Sequence, residues 1–180
     1  KAMEGEKDCG GLLSYNYYSG EGVTDLNEGR PLFLRKPDAK MTLAGFMRTH
    51  LLSALATLKI GLDILTGEEK VEIRKLYGHG GFFKTPVVGQ KMLSAAIGAP
   101  VSVMETAGEG GPYGMALLSA FMLWKKENET LEDYLDNKVF AGAKSSTLMA
   151  DEIEVAGFDS FLARYKKAFT VEKAAVKSLF

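Results

Sequence analysis

Two glycine-rich bends constrain this chain more than any other feature. The first, Gly78-His79-Gly80-Gly81-Phe82-Phe83-Lys84-Thr85-Pro86, leaves a short β-prone run at residues 73–77 and enters a helical pattern at 87–97, which Gly98 ends. The second, Gly108-Glu109-Gly110-Gly111-Pro112-Tyr113-Gly114, leaves the apolar run 100–104. It enters a helix beginning near Pro112, with Tyr113, Ala116, Leu117, Ala120, Phe121 and Trp124 as its apolar face. Strand, loop and helix twice over is a βαβα arrangement, which implies parallel strands and a right-handed crossover. Both bends then open at the carboxyl edge of one sheet, where α/β proteins hold ligands. Either bend alone reads equally as a tight turn; the pair is the stronger signal.

Glycines at a helix N-terminus expose backbone N–H groups, which suits a phosphate or the polar edge of a nucleotide. Neither bend fits a familiar fingerprint. A P-loop needs glycine where Phe83 stands before Lys84 and Thr85, and the dinucleotide pattern needs glycine where Tyr113 stands. Glu105 and Glu109 border the second bend, either as part of a magnesium shell or as solvated surface. His50 and His79 make no catalytic set, and no serine-histidine-aspartate arrangement or nucleophile elbow is present.

The rest of the chain frames these bends. Residues 12–18 and 31–34 read as an antiparallel pair at the edge of a mixed sheet. Residues 41–65 form the most regular helix, capped by Thr42 or Asp38 and ended by Gly67. Its stripe of Leu43, Met47, Leu51, Leu55, Leu58, Leu62 and Leu65 is expected to pack inward, leaving Arg48, Thr49, Ser53 and Lys59 on other faces. Residues 131–134 suggest a short helical turn and 141–154 a polar loop. Phe158, Phe161, Leu162, Tyr165 and Phe169 mark a terminal helix capped by Asp159 or Ser160.

With 180 residues, 46% hydrophobic, the chain suits one domain with a real core. A net charge of −1 gives no footprint for nucleic acid or an anionic membrane. His50, Ser53, Thr57 and Lys59 are expected to interrupt the longest apolar stretch before it could span a bilayer. Cys9 is the only cysteine, which excludes an internal disulfide and makes a reducing, cytoplasmic setting the expectation.

The segment Gln90-Lys91-Met92-Leu93-Ser94-Ala95-Ala96-Ile97-Gly98-Ala99-Pro100, after the first bend, resembles the adenosine-binding segment of the FGGY carbohydrate kinases. Gly114-Met115-Ala116-Leu117-Leu118 after Glu105 is similar to a second segment of that family. Gly29-Arg30-Pro31-Leu32-Phe33 resembles the strand before its interdomain helix, and Arg48 lies in that helix. Gly157-Phe158-Asp159-Ser160-Phe161 and Tyr165 resemble its terminal helix. Ala95 stands where the family often has aspartate, and His79, Phe82 and Phe83 replace smaller residues.

The resemblance implies a ribonuclease H-like (actin-like ATPase) α/β domain, a mixed sheet with helices on both faces, spanning residues 1–180 as a single C-terminal unit. It implies ATP with Mg²⁺, the nucleotide lying on Gly80, Gly81 and Phe82, with Lys84 and Thr85 nearby and Gly110 and Gly111 supporting the pocket. It also implies an N-terminal FGGY lobe as partner, carrying the catalytic aspartate and the sugar, of pentulose type. No catalytic or metal-ligating residue is expected in this chain, which reads as a separated C-terminal half, inactive alone and able to self-associate. Two other readings stay open: a non-catalytic nucleotide- or protein-binding module of the same fold, and an NTPase with a degenerate P-loop.

Overall fold

Strand β1 (Leu12–Tyr15) is buried along its whole length, so its side chains face protein on both sides. It pairs antiparallel with β2 (Leu32–Arg35), setting Leu12 against Arg35 and Tyr15 against Leu32. In this computed structural model, which describes residues 1–178, the pair forms a sheet of its own. The mixed sheet is the other one. There β3 (Leu76–Gly78) runs parallel to β4 (Val101–Met104), and β4 runs antiparallel to β5 (Ser145–Leu148). The expected mixed sheet therefore exists, but β5 supplies its antiparallel strand rather than the N-terminal pair.

Helix α1 (Leu43–Gly67) starts where Thr42 accepts a hydrogen bond from the amide of Gly45 at 3.0 Å, a side-chain cap. Its inner face reverses the expectation. Gly45, Arg48, Thr49, Leu52, Ser53, Leu55 and Ala56 are buried, while Leu43, Met47, Leu58 and Leu65 are exposed. Of the leucine stripe only Leu55 is buried. Burying polar side chains is tolerable here because each has a partner. Arg48 pairs with Glu154, the Thr49 hydroxyl donates to Gly45 O at 2.8 Å, and Ser53 donates to Ser14 O at 2.7 Å. By length and composition α1 would suffice to cross a membrane, contrary to the expected interruption. Its contacts with β1 and with two later helices, at 88–97 and 152–167, use it here as a packing helix.

Helix α2 (Val88–Ile97) buries Met92, Leu93, Ala95 and Ala96 and ends on Gly98, whose φ of 69° is left-handed. Ala95, at the position where an aspartate was noted as frequent, is thus a core residue. Helix α3 (Gly110–Trp124) begins two residues before Pro112 and buries none of its residues. Apolar on most sides, it gives no single inward face: Met115, Met122, Leu123 and Trp124 are exposed, Trp124 by 71%. The short α4 (Leu131–Tyr134) carries a capping box between Thr130 and Asp133.

The polar stretch expected to be loop contains β5 and the start of α5 (Glu152–Lys167). Asp151, not Asp159 or Ser160, caps α5 by accepting from Glu154 N at 2.9 Å. After Ala168 the chain continues as α6 (Phe169–Ser178). Phe158, Phe161 and Tyr165 of α5 are fully buried and join Leu12, Tyr15, Leu52, Met92 and Val101 in one core.

Candidate functional site

The two glycine bends follow β3 and β4, which are hydrogen-bonded parallel neighbours, so they open at one end of the sheet. They are also joined to each other. Gly80 N donates to Ala107 O at 2.6 Å, and across the exposed rim Lys84 Nζ pairs with Glu109 Oε1 at 2.6 Å. A third tie is steric. A Cβ on Gly110 would lie 2.7 Å from the His79 Cβ, so only glycine lets the two bends approach this closely.

Phe82 and Phe83 brace the first bend from below. Their rings meet edge-on with centroids 5.3 Å apart. A Cβ on Gly78 would sit 2.4 Å from the Phe83 ring, and one on Gly89 would sit 3.0 Å from the Phe82 ring and 2.7 Å from the Phe82 carbonyl oxygen. Phe83 is therefore a packing residue, and the phosphate cradle of a P-loop does not form here. A Cβ added at Gly80, Gly81 or Gly111 would meet nothing within 4 Å.

The entry to α2 carries strain. Val87 takes φ 70° and ψ −44°, with Val88 N donating back to Pro86 O at 2.8 Å, a γ-turn that a β-branched residue adopts rarely. Such outliers concentrate at functional sites. Both helices that follow the bends also start without a side-chain cap, whereas Thr42, Thr130 and Asp151 cap α1, α4 and α5. No side chain takes the first-turn amides of either helix, although Val88 N is held by Pro86 O, and the helix dipoles favour an anion there.

Of the residues singled out from sequence, Gly80, Gly81, Phe82, Lys84 and Thr85 lie on the first bend and Gly110 and Gly111 open α3. The structure brings the two groups together. It commits the Gly80 amide to Ala107, the Lys84 ammonium to Glu109 and the Phe82 ring to Gly89. Gln90 is bridging rather than open: its Nε2 donates to Val101 O and to Ser146 O, tying α2 to β4 and β5.

Two recesses were missed from sequence. One of about 270 Å³ adjoins the second bend and is lined by Glu105, Thr106, Tyr113, Phe140 and Lys144. A larger one of about 500 Å³ lies between residues 16–21 and α1, with Asn16, Tyr17, Glu21, Ser53 and Thr57 among its walls. Each gathers residues more than thirty positions apart, which no local pattern announces.

Over residues 1–123 the chain matches the FGGY family of carbohydrate kinases, C-terminal domain. The chain belongs to this family. Comparison with curated protein sequences finds no significant match. Among solved structures it is similar to the ligand-bound xylulose kinase of Lactobacillus acidophilus, at a TM-score of 0.69 and 15% identity, covering 98% of this chain and 34% of that one. The xylulose kinase of Rhodospirillum rubrum gives a TM-score of 0.67 at 16% identity, covering 94% and 32%. A glycerol kinase of Plasmodium falciparum with ADP gives 0.57 at 16% identity, covering 99% and 33%. These likenesses establish the actin-like ATPase fold. The FGGY chain described here spans about a third of the length of those kinases.

Proposed function

We propose that this FGGY domain is the ATP-binding lobe of a kinase that phosphorylates a pentulose-type sugar, and that catalysis requires the N-terminal, sugar-binding lobe as partner. The observation that carries the reading is the Gly80–Ala107 hydrogen bond, which fixes two amide-rich bends side by side at the ends of adjacent parallel strands. The adenosine end of the nucleotide lies over Gly80, Gly81 and Phe82, with Thr85 beside it and Gly110 and Gly111 at the opposite wall. Lys84 meets the nucleotide by exchanging its exposed Glu109 partner. The residues suit such a ligand: open space stands beyond Gly81 and Gly111, and two helix starts without side-chain caps favour an anion.

When bound, ATP supplies the transferable phosphoryl group and Mg²⁺ neutralises its charge. The ion would be held mainly through the phosphates and residues of the partner lobe. This chain's own part is to bind and orient the nucleotide; the base that deprotonates the sugar hydroxyl comes from the other lobe. Calorimetric titration of the isolated chain with ADP is expected to show weak saturable binding, and a coupled assay with xylulose or ribulose no turnover. Folded protein that binds no ADP overturns the site. An intact kinase that prefers gluconate or glycerol to pentuloses overturns the substrate class alone.

A further inference from the structure

Apart from the nucleotide site, a groove of about 630 Å³ runs between the β1–β2 pair and the junction of α5 with α6. Its apolar lining is made by Leu13, Leu34, Ala168 and Val171. Its rim carries Arg35, Lys36, Arg164 and Lys167, and no acidic residue lines it. Arg164 is committed, since its Nη1 holds Asp8 Oδ2 at 2.7 Å and its Nη2 donates to Asp8 O. Arg35, Lys36 and Lys167 have no ion pair among the described residues and are exposed. The Lys36 stem lies along Gly11, where an added Cβ would meet Lys36 Cδ at 3.1 Å.

We propose that this groove binds a free amphipathic anion, an apolar body bearing one carboxylate. An apolar trough removes the body from water, and unpaired cations of one sign at the rim select the head. The volume lies within the usual range for small-molecule sites, and the concave shape suits a single molecule better than a bilayer surface. The Thr170 hydroxyl at the rim offers the head a further donor.

The test is an amide-shift titration of the ¹⁵N-labelled chain with decanoate, below its aggregation threshold, alongside 1-decanol and inorganic phosphate. Decanoate is expected to give saturable shifts at Leu13, Leu34, Ala168 and Val171, with decanol and the double variant Arg35→Glu/Lys167→Glu each weaker by roughly tenfold or more. Both replaced side chains are exposed, so the variant folds, as its unperturbed α2 amides will report. Equal affinity for decanol, an unweakened double variant, shifts spread equally over the exposed side of α3, or binding to anionic vesicles without binding to decanoate each overturns the proposal. ADP titration of the same samples reads the nucleotide site separately.

Discussion

The carboxylate of Glu154, on α5, is buried against the guanidinium of Arg48, on α1. Lys7 takes the other carboxylate oxygen at 2.5 Å, so one acid joins the N-terminal segment to two helices. Arg48 Nη1 already lacks a hydrogen-bond partner among the described residues. Removing the acid strands a buried cation, which costs about 3–5 kcal/mol. Glu154→Ala is therefore expected to lose that much stability in urea unfolding. Adding Arg48→Met should recover most of the loss, since the stranded charge goes with it.

Glu172, on α6, has the opposite pH sense. Burial pushes its carboxyl above the ordinary value, against the lowering effect of the Arg30 amide, which donates to Oε1 at 2.7 Å. Burial also opposes ionisation of Glu154, but hydrogen bonds from Lys7 and Arg48 outweigh it and hold that carboxyl below the ordinary range. The contribution of Glu154 is full above the unfolded carboxylate value and is lost as pH falls through its lowered folded value. That of Glu172 is full below the unfolded value and is lost as pH rises through its raised folded value. At neutral pH, Glu172→Gln is expected to raise Tm by about 2–4 °C, and Glu154→Gln to lower it. The Glu172 difference should vanish as pH falls to about 4, whereas the Glu154 difference should shrink only below that value. Thermal unfolding at several pH values checks the two signs; a Tm lowered by Glu172→Gln at neutral pH would count against the burial argument.

Gly81 and Gly111 separate binding from folding. A Cβ at either position meets nothing within 4 Å, and neither has a positive φ. Alanine there should leave Tm unchanged or raise it, through an unfolded-state gain of roughly 0.4–1 kcal/mol. If the nucleotide backbone comes close, each methyl intrudes on it, and ADP affinity is expected to fall about tenfold, or roughly 1.4 kcal/mol. Wild-type affinity in both variants would place the nucleotide elsewhere.

What the sequence disclosed and what it hid follow from the range of the interactions. The bends were legible because their determinants are local: Gly98 ends α2 with its own φ, β3 ends on Gly78, and the glycines from Gly108 on lie four residues beyond the end of β4. The inner face of α1 was not, because Arg48 is stabilised by an acid 106 residues away and Ser53 by a carbonyl 39 residues away. Leucine periodicity pointed to a neighbouring stripe, of which only Leu55 is buried and Leu43, Met47, Leu58 and Leu65 are exposed. Strand β5 was hidden for the same reason. Ser145, Ser146 and Thr147 carry no apolar alternation and are held by the ladder to β4, by Gln90, and by a 2.6 Å hydroxyl contact from Ser102 to Thr147.

The contact of Gly110 with His79 tests whether the two bends act as one site. Gly110 has ordinary helical angles, φ −52° and ψ −45°, so a glycine there is required by space and not by conformation. Gly110→Ala would put a methyl 2.7 Å from the His79 Cβ, and the bends must separate to relieve it. Separation stretches the Gly80–Ala107 hydrogen bond and parts Lys84 from Glu109, an exposed pair worth only about 0.2–1 kcal/mol. The expected result is a small loss of Tm with a loss of ADP affinity of roughly tenfold or more. His79→Ala should not rescue it, because alanine keeps the offending Cβ. His79→Gly should, because it removes that Cβ together with the ring atoms 3.3 Å away. Calorimetry with ADP on the two double variants decides the matter: equal affinities in both would mean that the spacing of the bends does not govern binding.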